Sequence, residues 1–299
     1  MIQPELSLLE FNKRFGSERA CQNALEKMRW PEGFICPKCA YTRATRIKTR
    51  RLLQCSKCHF QVSLTSGTIF HKTRTPLQKW FWAIYLAGQD KGGVSAMRLS
   101  KQLELGYKTA WLMLHKIRRA MAQRDRDYTL SGYIEMDDAF FGGPAKGRTG
   151  RGAKNKTPVL VMIESQGDKA GFIAMQTLET VQRAHVEPIV CKHIAPGQDI
   201  RTDGLSSYKY LKTTDHRHNG TPVPPHKGHE DLFWVHTAIS NAKRFLLGTY
   251  HGVSHKHLQS YLDEFCYRFN RRRWEKQITL RLLTACIFAH PITFAELKA

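Results

Sequence analysis

Two C-x-x-C pairs, Cys36-Pro-Lys-Cys39 and Cys55-Ser-Lys-Cys58, constrain the fold of this chain more than any other feature. Fifteen residues separate them. Each pair can wrap a turn around one ion, and two pairs complete a closed tetrahedral site of four cysteines. The pattern predicts a small metal ribbon of short strands over residues 30–72. It belongs to a leading segment, 1–72, that opens on a short helix carrying Leu8, Leu9, Phe11 and Phe15. A redox reading would need only one such pair, in a βαβ setting that is missing here. Four thiolates leave no position open for chemistry, so the ion would be structural, with Zn2+ favoured over iron. His59, directly after the second pair, is read as a surface residue. Cys21, Cys191, Cys266 and Cys286 are scattered, which argues against a disulfide framework.

The charge balance narrows the partner. Lysine and arginine number 47 against 25 acidic residues in 299, a net charge of +22. Such an excess repels itself in a compact fold, and a polyanion is its natural counterpart. Nucleic acid is favoured over membrane, because the longest apolar run, Trp80 to Ala87, falls far short of the ~20 residues that span a bilayer. The first residues lack the basic-then-apolar layout of a signal peptide, which places the chain in the cytoplasm, associated with the nucleoid.

Beyond the ribbon, residues 73–126 read as a helical DNA-binding segment. Pro76 to Leu86 has a helical pattern, and Ser95–Leu105 and Lys108–Met121 have the cadence of a helix-turn-helix around Gly106. Its second helix would offer Lys108, Lys116, Arg118 and Arg119 to DNA; an ordinary helical hairpin with basic exposed positions is the other reading. Tyr133–Asp137, Pro158–Glu164, Gly171–Gln176 and Asp199–Thr202 read as strands, with a helix at Val181–Val190. Residues 212–230 form a polar loop, and helices follow at about 234–247 and 255–270. Together these give a catalytic domain over 130–275 and a C-terminal tail over 276–299.

Two strand ends carry acids. Tyr133-Ile-Glu-Met-Asp137-Asp138 and Ile200-Arg-Thr-Asp203-Gly204 both end where a hard cation could sit, and Gly204 permits a sharp exit from the strand. Magnesium takes few carboxylates and keeps oxygen ligands from water and phosphate. Two such ions can activate water and stabilise a leaving oxygen in phosphodiester cleavage. Each aspartate alone is an ordinary turn former; two in one very basic chain are more telling. On the helix that follows, His236 and Lys243 are seven apart and return to nearly one face. His236 could ligate metal or order water, and Lys243, with Arg244 beside it, could grip a phosphate. Gly142-Gly-Pro-Ala-Lys146-Gly-Arg148-Thr149 nearly spells a P-loop, but a poor helix start follows, so it reads as a basic hairpin tip touching DNA through Lys146 and Arg148.

With these residues, the chain resembles bacterial insertion-sequence transposases of the ISXO-like group, which pair a zinc ribbon with an RNase-H-like DDE-type domain. The resemblance spans nearly the whole chain. It rests on the four ribbon cysteines, Ser63-Leu-Thr-Ser-Gly-Thr-Ile-Phe70, Thr109-Ala-Trp111, Glu135-Met-Asp-Asp-Ala-Phe-Phe-Gly-Gly143, Thr202-Asp-Gly204, Lys243-Arg-Phe-Leu-Leu-Gly-Thr-Tyr-His251 and Tyr261-Leu-Asp-Glu-Phe-Cys-Tyr-Arg-Phe-Asn-Arg-Arg272. It implies an α/β fold: an RNase-H-like mixed sheet with flanking helices, preceded by the ribbon and the helical segment. It also implies a catalytic set on Asp137, Asp203, His236 and Lys243, with Mg2+ or Mn2+ held by the two aspartates. Asn241 is a rival for the third position. Many relatives have glutamate where this chain has Asp138, and many have it at the third position too. Glu264, Arg268 and Arg271 lie at i, i+4 and i+7 of a helix next to Arg272 and Arg273, and are expected on a DNA-facing surface rather than in a solvated salt bridge.

The function that follows is metal-dependent cleavage of double-stranded DNA at terminal inverted repeats and 3′-hydroxyl strand transfer into target DNA. It would be carried out by a homodimer or larger assembly on DNA. The rivals are a nuclease or resolvase that cuts without joining, and a non-catalytic zinc-ribbon regulator.

Overall fold

A computed structural model describes residues 6–142, 156–220 and 232–298. The described residues form two compact units, one from residues up to 124 together with 274 onward, the other from 125–273.

The first unit opens on α1 (Leu8–Phe15) and α2 (Glu18–Arg29), where one helix was expected. The chain breaks at Gly16-Ser17 because Ser17 is extended and its hydroxyl accepts from Ala20 N at 3.2 Å, capping α2, as Ser7 caps α1 by accepting from Glu10 N at 3.2 Å. The ribbon is an antiparallel meander of β1 (Ala44–Ile47), β2 (Leu52–Cys55) and β3 (Gln61–Ser63). Arg29, at the end of α2, donates to the carbonyls of Ser63 (3.1 Å) and Leu64 (2.7 Å), tying helix to ribbon. Then come α3 (Leu77–Gln89), α4 (Ala96–Gln102) and the long α5 (Tyr107–Asp125).

Residues 276–299, expected as a tail, form part of this unit's core over their described length. Leu282, Leu283, Cys286 and Ile287 of the helix Ile278–Phe288 are buried, and Gln89 of α3 donates to Thr279 Oγ1 at 3.2 Å. The two helices approach so closely that a Cβ on Gly88 would sit 2.8 Å from Thr279 Oγ1. An apolar helix with that much surface cannot stay in solvent as a tail.

The second unit is a mixed sheet in the order β6-β5-β4-β7-β8. Its strands are β4 (Tyr133–Phe141), β5 (Thr157–Ser165), β6 (Ala170–Thr177), β7 (Asp199–Thr202) and β8 (Arg217–Gly220). The first three are antiparallel; β7 runs parallel to β4, and β8 parallel to β7. With helices on both faces this is the RNase-H-like arrangement expected. β8 was expected as loop: Arg-His-Asn-Gly has no alternation to read, and it joins the sheet through backbone pairing and the Arg217–Asp199 ion pair.

Period-two alternation sorts β4 between the two faces. Ala139 and Phe141 pack under α7 (Phe233–Tyr250) and α8 (His255–Asn270). Ile134 and Met136 pack against α6 (Arg183–His193) and the 3-10 turn Ser206–Thr213. The edge strand β6 is covered from α8. Gln259 accepts from Thr177 N (2.8 Å) and donates to Met175 O (3.0 Å), while Asn270 accepts from Ile173 N (2.8 Å) and donates to Ile173 O (3.1 Å). Two amide side chains thus supply the backbone pairing an edge strand lacks. The chain continues through the 3-10 turn Arg272–Gln277 into α9 (Ile278–Phe288) and α10 (Phe294–Lys298). Among the described residues, no helix is long and apolar enough to cross a membrane.

Candidate active site and metal centre

The ribbon gathers its cysteines as the spacing predicts. All four Sγ atoms lie within 4.8 Å of one another, with Cys36–Cys58 and Cys39–Cys55 each at 3.6 Å. A tetrahedron of ~2.3 Å metal–sulfur bonds has edges of about 3.8 Å, so the donor set fits one closed ion. The two pairs are built alike. Cys36 N donates to Tyr41 O and Ala40 N to Cys36 O, both at 2.9 Å; Cys55 N donates to Phe60 O at 2.9 Å and His59 N to Cys55 O at 3.1 Å. Ala40 and His59 therefore take φ of +57° and +56°. His59 is the turn residue of its knuckle. Burial pushes the Cys55 thiol up, but the N–H groups of Cys58 and Lys57 pull it further the other way, to about 6. At Cys55 the knuckle favours the thiolate a metal needs.

The basic residues expected to face DNA divide. Lys108 is exposed at the start of α5 and Arg244 is exposed on α7. Arg119 is half-buried. Lys116 is only 7% exposed, and its Nζ donates to Ile69 O at 3.1 Å. Arg118 is buried as well. Neither is presented to a groove, because α5 packs the face they share with Met113 and Ile117 into the core. The Glu264–Arg268–Arg271 face is likewise internal. Arg268 pairs with Glu264 at 2.7 Å, Tyr250 OH donates to Glu264 at 3.1 Å, and Arg271 pairs with Asp125 at 2.6 Å while lying over the Tyr267 ring. These groups hold α8 in place, since burying charges this deeply requires such partners. Lys146 and Arg148 lie outside the described residues.

Asp137 lies in the middle of β4 rather than at the strand end expected, because pairing with β5 carries β4 on to Phe141, while Asp203 follows directly on the end of β7. The parallel register of β4 and β7 runs as far as Glu135 opposite Arg201, so Asp137 and Asp203 each follow two residues after the last pair. Asp203 is fixed just beyond β7: its Oδ1 accepts from Leu205 N at 3.0 Å, and Gly204 turns the chain with φ +78°. Asp137 Oδ1 accepts from Asp138 N at 2.8 Å. The side chain of Asp138 points to the other face, where Oδ1 accepts from Tyr208 OH at 3.0 Å. Tyr208 is fully buried; burial first, then Asp138, Asp137 and Asp203 together, push its hydroxyl far up. One phenol therefore feels all three acids. They do not close into a group as tight as the cysteines; among the described residues the four-cysteine group alone does so.

Helix α7 brings the remaining groups over the Asp137 face. His236 Nε2 lies 3.2 Å from Asp137 Oδ2. Lys243, two turns on, stands over the Phe141 ring at 5.7 Å. Burial and Lys156 hold its ammonium below the ordinary range, and Asp137 opposes them. Asn241 projects elsewhere, into a cavity with Asp168, Trp234, Arg272 and Arg273.

A family model described as an ISXO2-like transposase domain matches residues 129–270, and one described as a transposase zinc-ribbon domain matches residues 16–61. Residues 129–270 therefore form an ISXO2-like transposase domain, and residues 16–61 a transposase zinc ribbon. An uncharacterized protein in transposable element ISH50 of Halobacterium salinarum is 27% identical to this chain over 223 residues, covering 68% of the chain and 73% of the relative. Among solved structures, a pre-cleavage Mos1 transpososome and the Mos1 strand transfer complex align with 71% and 72% of the chain and 78% of their own, at 14% identity. Their TM-scores are 0.27 and 0.28, and the fold assignment stands instead on this chain's own strand order.

Two residues of the transposase domain's site escaped sequence reasoning. Tyr208 sits in a stretch with no strand or helix pattern, and its place beneath the acids comes from the 3-10 turn. Glu135 is 4% exposed, and its Oε2 accepts from Trp234 N (2.8 Å) and Val235 N (3.0 Å). Only its position, two residues before Asp137 on an alternating strand, hinted that it shares the face of Asp137.

Proposed function

We propose that this chain cuts double-stranded DNA at the ends of a transposable element and joins the freed 3′-hydroxyl to target DNA. The observation that carries the reading is the parallel pairing of β4 with β7, after whose last pair Asp137 and Asp203 each follow by two residues, with His236 3.2 Å from Asp137. Asp137 and Asp203 hold divalent metal, Mg2+ or Mn2+, through hard carboxylate oxygens. When bound, such ions activate the attacking hydroxyl and offset charge on the leaving oxygen.

His236 completes the acidic cluster from α7 and orients Asp137. Lys243, aligned with it on the same helix, holds a phosphate oxygen of the strand being cut, and Arg244 extends that grip along the backbone. The four-cysteine ribbon holds Zn2+ as a structural ion and, with the helical segment 73–126 and Lys108 at its exposed start, reads the terminal inverted repeats. Joining two ends requires at least two copies on the DNA.

The test incubates purified protein and Mg2+ with a labelled duplex carrying the DNA that flanks this gene. The expected products are nicked ends and joined strands. Nicking without joining would support a nuclease. DNA binding with no cleavage at all, in a protein that retains its ribbon metal, would overturn the catalytic reading in favour of a regulator.

A further inference from the structure

We propose that Glu135 is a positioning residue for this reaction, setting His236 and Lys243 against Asp137 by anchoring the start of α7 to β4. The inference rests on the reading of Asp137, Asp203 and His236 given above.

Helix N-termini leave N–H groups that need acceptors. Helices α1, α2 and α4 solve this locally: Ser7, Ser17 and Ser95 each accept from the N–H three residues on, all at 3.2 Å. α7 has Leu232 at its N-cap, which offers no side-chain acceptor and is wholly buried. Its first N–H groups instead reach Glu135 Oε2, a carboxylate 99 residues away from Trp234 in the chain. Burying a carboxylate is expensive, even when hydrogen-bonded and favoured by a helix N-terminus. A serine at the N-cap would satisfy the same N–H at lower cost.

What the local cap cannot do is tie the helix to the strand. Glu135 lies two residues before Asp137, and Val235 one residue before His236. The two N–H bonds and the His236–Asp137 contact thus brace the same strand–helix junction. Lys243 follows rigidly, two turns along the same helix.

The test compares E135Q, E135D and E135A in the full chain, loaded with Mg2+, on the labelled element-end duplex. Glutamine keeps an acceptor oxygen at the same reach, whereas aspartate keeps the charge but is one methylene short. E135Q is expected to cleave within about threefold of wild type, and E135D and E135A to lose on the order of 10–100-fold in kcat at unchanged KM. In a background lacking both groups, H236A with K243A, E135A should cost little more. If E135A fails to fold, the contrast between E135Q and E135D decides.

The proposal is overturned by wild-type kcat in E135D, by E135Q as slow as D137N (a role for the charge itself), or by an E135A loss that persists in full when H236A and K243A are both present. D137N separates the levels. An inactive D137N beside a fully active E135A removes only the positioning role; an active D137N removes the acidic-site reading and this one with it.

Discussion

Asp137 and Asp138 are adjacent in sequence, yet their carboxylates serve opposite faces of the sheet: Asp137 meets His236 of α7 at 3.2 Å, and Asp138 accepts from Tyr208 OH at 3.0 Å. The pleat of β4 forces this division, and it splits the consequences of two otherwise similar substitutions. D137N is expected to lower cleavage by about 1000-fold, the several kcal/mol of transition-state stabilisation that metal coordination supplies. D138N keeps an acceptor for Tyr208 and should stay within about tenfold of wild type. Single-turnover cleavage of element-end DNA measures both; equal losses would place Asp138 in the metal site.

The ribbon should carry one zinc ion per chain, measured by metal analysis of protein purified without chelator. C36S or C55S should lose it, with a lower Tm for the first unit and weakened DNA binding, because metal affinity in a closed thiolate site is folding free energy. Retention of stoichiometric zinc by C55S would contradict the four-cysteine assignment.

Lys108 and Lys116 should part company on DNA. K108A is expected to lower the slope of log K against log salt by about one, as the loss of one phosphate contact does. K116M should leave that slope unchanged and act on stability instead, since Lys116 Nζ donates to Ile69 O inside the fold. Binding titrations across a salt series, paired with thermal melts, distinguish the two.

Two groups of the second unit should give stability opposite pH slopes. Burial raises the Asp263 carboxyl to about 6, against a donated hydrogen bond from Gln259 at 2.8 Å. The folded state then holds its proton more tightly than the unfolded chain, so stability falls as pH rises from about 4 to 6. Burial lowers His193 to about 4. The unfolded chain takes up the proton first, so that contribution is lost as pH falls from about 6.5 to 4. D263N should therefore be more stable than wild type at pH 7, by at most about 3 kcal/mol, with the difference gone at pH 4. H193Q should flatten the acid-side loss. Urea melts from pH 4 to 7 check both signs.

Much of this architecture was legible because its causes are local. The C-x-x-C spacing dictates the knuckles, and Gly204 marks the exit from β7; the continuation of β4 past Asp137 was not legible, because pairing with β5 holds it. The β7–β8 pairing was not legible, because it forms through backbone groups under a polar sequence. The burial of Lys116 and of the Glu264–Arg268 pair was hidden for a different reason. A long cation with an internal acceptor looks like a surface residue until the partner is known, and Ile69 is 47 residues away from Lys116. The contest between His236 and Asn241 turns on helix phase alone: five residues apart, they point to different sides of α7, and only His236 faces Asp137.

The amides of Gln259 and Asn270 bear on how copies of this chain could meet. Because they occupy the outward hydrogen-bonding groups of β6, a neighbouring molecule cannot extend the sheet by adding a strand along that border. Any strand added between copies would have to use another edge, and β6 itself is protected from the runaway strand addition that open borders invite.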